Sequence, residues 1–204
     1  MVLASASESR LRLLRSSGID PQVAVSGVDE EALEATLDDP SPAELAVLLA
    51  QEKAVTVAKR LLATGSQGPA TLVIGADSVL DVDGVSLGKP IEPEVALRRA
   101  AALRNRTADL ITGHCVVALT SAEPFWRQQS LGISTTVRFG DTSEAELAAY
   151  VASGEPLNVA GGFTLDGLSA PFITGVSGDP SNVIGLSLPG LRAVFAELGI
   201  AWIL

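Results

Sequence analysis

Short apolar runs and segments of helical period alternate along the whole chain, and each change of period falls at a turn or capping residue. Val2-Leu3-Ala4-Ser5 reads as a short buried strand, after which Ser7 caps a helix from about Glu8 to Ser17, stopped by Gly18. Residues 22–27 read as the next strand. Ser41-Pro42-Ala43-Glu44 is a capping box with proline at the first helical position, so a helix is predicted from there to about Ala63, ending near Gly65 and carrying Lys53. Residues 71–87 form a buried strand that enters a hairpin, with Asp83-Gly84 supplying a turn of positive φ. A helix over 93–104 and strands over 109–120 and around 130–139 follow. Ser143 and Glu146 make a second capping box, opening a helix to Ser153 that Gly154 closes. A glycine-rich stretch, two short strands and a last helix from Pro189 to just before Gly199 complete the pattern. No repeat or low-complexity linker interrupts it, and the alternation points to a sheet layered with helices.

Composition narrows the class. With 204 residues and 47% hydrophobic content, the chain is long enough for one good core and too short to require two independent domains. Its apolar stretches, such as residues 45–50 and 72–76, fall well short of the ~20 residues that cross a bilayer, and the N-terminus shows no targeting pattern. The expectation is a protein free of the membrane and located in the cytoplasm. Cys115 is the single cysteine and His114 the single histidine, so neither an intrachain disulfide nor a Cys/His zinc site can form. A net charge of −10 without an acidic tail argues against a nucleic-acid polymer as partner. A phosphorylated ligand would need a local basic pocket and a metal ion.

Several segments carry candidate chemistry. Residues 4–10 join a strand to a helix start, where unpaired N–H groups and the positive dipole end suit a phosphate. Ser5 and Ser7 add hydroxyls there, and Arg10 adds a fork of donors. Read alone, the same residues equally make an ordinary capped turn. Residues 75–78 place Asp77 at the end of an apolar strand between small neighbours, where it can take a proton from water, bind a cation or cap a turn. Residues 84–90 differ from a phosphate-binding P-loop: three residues separate Gly84 from Gly88, and Pro90 stands where a hydroxyl would hold magnesium. Lys89 is left as a point charge for a phosphate or as a surface lysine. Glu30 reads as a metal ligand or a solvated acid, and His114, with no nucleophile motif nearby, as a core or supporting histidine.

In this order the segments resemble the Maf family of nucleoside triphosphate pyrophosphatases over essentially the whole chain. The family's L-A-S-x-S-P-R-R is matched by residues 3–10, its E-K-A by 52–54, G-A-D-T-V by 75–79 and L-G-K-P by 87–90. Residues 112–114, 149–156, 160–163 and 182–189 fit family patterns too. The resemblance implies an α/β fold with a mixed, twisted sheet flanked by helices around a central cleft. It also implies one domain over residues 1–204, with or without two lobes. The implied reaction is hydrolysis of nucleoside triphosphates to the monophosphate and pyrophosphate, serving to clear non-standard nucleotides, with Mg²⁺ or Mn²⁺ as cofactor and a homodimer as the common assembly.

Carried over residue by residue, the resemblance makes Asp77 the proton acceptor. Ser5, Ser7, Arg10, Lys53 and Lys89 become triphosphate contacts, and Glu30 with Asp77 the metal-related acids. Three further positions bear on the base: Ser9, Ser78 and Asp166. The dTTP/UTP branch has Arg, Thr and Gln there, none of which is kept, whereas the 7-methyl-GTP branch shares the acid at Asp166 and none of its other signature residues. A carboxylate accepts from guanine N1–H and the amino group, so a purine or modified purine is expected. The family's P-R-R becomes Glu8-Ser9-Arg10, which removes an arginine and adds an acid beside the phosphate loop. The competing class is a non-catalytic, nucleotide-binding regulator of cell division and septum formation, and Asp77 is the residue that separates the two.

Overall fold

The computed structural model describes residues 1–66, 68, 70–120 and 126–202. Strands are β1 (Val2–Leu3), β2 (Gln22–Val23), β3 (Ala70–Val82), β4 (Val85–Leu87), β5 (Thr107–Thr120), β6 (Arg127–Phe139) and β7 (Ile173–Ser177). Helices are α1 (Glu8–Ser16), α2 (Glu30–Glu34), α3 (Pro42–Thr64), α4 (Pro93–Leu103), α5 (Glu144–Ala152), α6 (Pro180–Ile184) and α7 (Leu188–Glu197), with three short 3-10 turns between α5 and β7. All seven strands join one mixed sheet in the order β2-β1-β3-β5-β6-β7, with β4 paired to β3; β1 runs parallel to β2 and β3, and the other pairs are antiparallel. This is the α/β architecture expected. Among the described residues, no helix is long and apolar enough to cross a membrane.

Local signals account for most element ends. Both capping boxes form, at Ser41/Glu44 and at Ser143/Glu146, and α3 closes on Gly65 in the left-handed conformation. Asp83 and Gly84 both take positive φ in the β3–β4 turn. Two expectations are corrected, and one element is new. The strand over 22–27 shortens to Gln22–Val23 because its only partner is the two-residue β1, and the last rung is Ala24 N–H to Leu3 O at 3.0 Å. Only one strand, β7, precedes the last helices; Asp179 caps α6 and Pro180 opens it where a second strand was expected. The unexpected α2 has five residues, capped by Asp29, with Leu33 packed against the cluster around Leu45 and Leu49.

Alternation along β3 and β5 divides the core. Val73, Cys115 and Val117 face α3, packing on Ala50, Ala54 and Val57. Ile74, Ala76 and Val116 face α1 and α7, packing on Leu14, Leu191, Val194 and Phe195. α3 lies directly on the sheet. A methyl group on Gly75 would stand 2.8 Å from Ala54 N, and one on Gly113 would stand 2.6 Å from Val47 N, with the carbonyls of Ala50 and Ala46 nearer still. The helix presents Ala46, Ala50 and Ala54 at four-residue spacing to this seam, so small side chains on the helix meet absent ones on the strands.

On the opposite face, His114 is wholly buried and ties β5 to α7. Ser187 N–H donates to its Nε2 at 2.8 Å, so the ring proton sits on Nδ1, which donates to Leu131 O at 3.3 Å. Burial, reinforced by the positive charge of Arg10, pushes this histidine down to about 4.

Two outcomes follow from these contacts. Gly113→Ala is expected to lower stability by about 3 kcal/mol, because the obstacle is helix backbone that cannot rotate away; an unchanged urea midpoint would refute the close seam. The unfolded chain takes up the His114 proton near the ordinary 6.5 and the folded chain only near 4. Stability is therefore complete above that upper value and lost as pH falls toward the lower one, by roughly 3 kcal/mol in total. Urea midpoints between pH 7 and 4 should fall less steeply in His114→Gln; equal slopes would show that the histidine is not buried neutral.

Candidate active site

On the side away from β5, β3 pairs with β1 at Val73–Ile74 and with β4 at Leu80–Val82. Its pairing with β1 ends where Ala4 N–H bonds Ile74 O at 2.8 Å, and its pairing with β4 begins at Leu80. Residues 75–79 are therefore held on one side only, by β5, and the turn from Ser5 to the start of α1 leaves the sheet at this interruption. Interruptions beyond the carboxyl end of a parallel strand are where α/β sheets admit ligands. Asp77 and Ser78 sit within it, and because successive strand residues point to opposite faces, they serve two different groups of side chains.

On the α3 face, Asp77 is buried and its Oδ1 accepts a hydrogen bond from Lys53 Nζ. The same ammonium lies 2.6 Å from Glu30 Oε1. The helix seam explains the meeting: Lys53 adjoins Ala54, whose backbone and methyl rest on Gly75, two residues before Asp77. Burial acts to raise the Glu30 carboxyl, but the hydrogen bond and charge of Lys53, with Lys89 and Arg10 further off, win and hold it below the usual range. Asp77 Oδ2 makes no hydrogen bond among the described residues. Two carboxylates at one ammonium form a set of hard oxygen donors, and no third His, Cys, Asp or Glu joins them among the described residues. Such a pair suits Mg²⁺, which commonly takes one or two carboxylates and completes its shell with water and phosphate.

On the other face, Arg10 is buried at the first turn of α1. Its Nε donates to Gly185 O at 2.7 Å, Nη1 to Ser5 Oγ at 3.1 Å and Nη2 to Ser78 Oγ at 3.0 Å. Three of its five N–H groups are thus committed, and one hydrogen on each terminal nitrogen remains. Desolvation pulls the guanidinium down, opposed by the charges of Asp77 and Glu30. Ser5 Oγ also accepts from Ser7 N–H at 3.2 Å, and Ser7 Oγ accepts from Arg10 N–H at 3.4 Å, so both hydroxyl protons are uncommitted.

Lys89 is exposed at the end of the β3–β4 hairpin, close enough to act on the charge of Glu30. Its loop is anchored: Gly88 O accepts from Gly161 N–H at 3.2 Å and from Arg99 Nη1 at 3.0 Å. The three base-related positions divide. Ser9 and Asp166 meet through Arg12, whose Nη2 donates to Ser9 Oγ at 3.2 Å and to Asp166 Oδ2 at 2.8 Å. Ser78 belongs instead with Arg10. Arg12, Thr112, Asn182 and Gly185 were not singled out by sequence as site residues; Thr112, Asn182 and Gly185 lay inside matched motifs without an assigned role.

Comparison with known proteins places this geometry in context. A nucleoside triphosphate pyrophosphatase of Streptomyces coelicolor is 56% identical over 98% of this chain and 90% of its own length. The protein of the same name from Streptomyces avermitilis is 54% identical over 98% and 91%, and that from Saccharopolyspora erythraea is 51% identical over 98% and 93%. The profile of the family described as Maf-like protein matches residues 1–198, which span every element from β1 through α7 and all the residues gathered at the sheet interruption. The chain belongs to the Maf family.

Proposed function

We propose that this protein hydrolyses nucleoside triphosphates to nucleoside monophosphate and pyrophosphate at the interruption in β3. One observation carries the reading: Arg10, Lys53 and Lys89 gather with Asp77 and Glu30 at one place in a protein of net charge −10. A triphosphate brings about four negative charges, which so acidic a surface repels unless cations are concentrated locally. The names of the Streptomyces and Saccharopolyspora relatives support the same reaction.

In this reading the phosphates take the two uncommitted N–H groups of Arg10, the hydroxyls of Ser5 and Ser7, and Lys89. Water attacks the α-phosphorus in line, Asp77 Oδ2 receives its proton, the bond from the α-phosphorus to the bridging oxygen breaks, and pyrophosphate leaves. Lys53 holds the carboxylate from Oδ1 and keeps Glu30 beside it. Glu30 and Asp77 would hold Mg²⁺ or Mn²⁺, which when bound neutralises phosphate charge. Asp166 Oδ1, left open by Arg12, accepts from a guanine edge, so purine or modified purine triphosphates are the favoured substrates and clearing them from the cytoplasm the favoured role.

Asp77→Asn is expected to reduce pyrophosphate release at least about 100-fold while nucleotide binding persists. Near-normal turnover in that variant would remove Asp77 from the mechanism. In a panel of normal and modified nucleotides with Mg²⁺ or Mn²⁺, preference for dTTP and UTP over every guanine form would overturn the assignment of Asp166. Nucleotide binding by the unaltered protein without pyrophosphate release would favour the non-catalytic regulator.

A further inference from the structure

We propose that Thr112 is a positioning residue for Arg10, acting through Ser78, and that the Ser78 hydroxyl proton is committed to this task. The inference rests on the reading of Arg10 as a triphosphate contact.

The direction of every proton in the group can be derived. Thr112 is completely buried on β5, and its Oγ1 donates to Asn182 O at 3.1 Å. A threonine hydroxyl has one proton, so toward Ser78 Oγ, 2.9 Å away, Thr112 accepts and Ser78 donates. Ser78 Oγ in turn accepts from Arg10 Nη2. The relay thus runs from the guanidinium through two hydroxyls to the carbonyl of α6. It also closes on itself: Gly185 N–H bonds the same Asn182 O at 3.0 Å, and Gly185 O accepts Arg10 Nε at 2.7 Å. One hydrogen-bonded ring holds two edges of the guanidinium and passes through β3, β5 and α6.

Asn182 anchors the ring. It is fully buried, and its Nδ2 lies 3.0 Å from both Leu110 O and Ile133 O. Two carbonyls facing that atom fix it as the nitrogen, because an oxygen there would meet only acceptors. α6 is thereby held to β5 and β6. Without the Thr112 hydroxyl, the Ser78 proton loses its acceptor within the ring and Arg10 can turn about its bond to Gly185. The Ser78 hydroxyl already donates its one proton inside the ring and accepts the arginine, so toward any other group it can only accept.

The test is calorimetric binding of inorganic tripolyphosphate, a ligand with no base, to the unaltered protein and to variants whose thermal unfolding is followed in parallel. Thr112→Val, which keeps the shape, is expected to weaken binding about tenfold, and Thr112→Ser to recover it to within about threefold. Ser78→Ala breaks the same ring from its accessible side and should match Thr112→Val, which covers the case in which the buried substitution fails to fold. In an Arg10→Lys background, where the fork is gone, Thr112→Val should add less than about twofold. Unchanged affinity in Ser78→Ala, or an equal loss from Thr112→Val in both backgrounds, overturns the proposal. So does failure of the unaltered protein to bind tripolyphosphate, since Arg10 would then not serve phosphate. Tripolyphosphate binding with the expected pattern, in a protein that releases no pyrophosphate, supports the positioning role and overturns the hydrolase reading alone.

Discussion

The contact of α3 with the sheet governs the rest of the molecule. Helix backbone touches strand backbone at Gly75 and Gly113, where even a methyl group has no room. Helix and sheet surfaces ordinarily meet through layers of side chains, and omitting one layer lowers α3 onto the strands at the level of the sheet interruption. Lys53 consequently meets Asp77 as a buried pair, with Glu30 completing the charge from the short α2. An ammonium and a carboxylate so enclosed are sustained only by each other and by good hydrogen bonds, so the seam and the charge cluster depend on one another.

The sheet also keeps two kinds of chemistry apart. Asp77 and Ser78 are neighbours in sequence, yet one faces the Lys53 and Glu30 pair and the other faces Arg10. The acid side gathers two carboxylates around an ammonium; the other side holds a guanidinium fixed by two hydroxyls and a carbonyl. A strand two residues long at β1 is what leaves the edge open between them. Had β1 continued beside β3, its backbone would have filled the place where the two groups can reach a common ligand.

Much of this was legible in the residues. The capping boxes at Ser41 and Ser143, the positive-φ turn at Asp83-Gly84 and the glycine closing α3 are local, and local chemistry decides them. The site positions could be named because their motifs follow one another in family order. The strand over 22–27 was misread because its limit is set by a two-residue neighbour, and the short helices α2 and α6 went unread although Asp29 and Asp179 cap them locally. The arginine ring was out of reach because its members are far apart in sequence. Ser78 and Thr112 are 34 residues apart and Thr112 and Asn182 are 70 apart, and nothing in either motif announces the other. Strand alternation separates Asp77 from Ser78, but only the packing of α3 shows which of them belongs to the lysine.

The bond between Arg10 and Gly185 spans 175 residues. During synthesis, Lys53 and Asp77 have both emerged while most of the chain is still to be made. The carbonyl that orients Arg10 does not exist until Gly185 has been added and α6 has turned back onto β5 and β6. A growing chain therefore carries its acid and its lysine long before it can seat an arginine, and the full set of side chains at this place assembles late in translation.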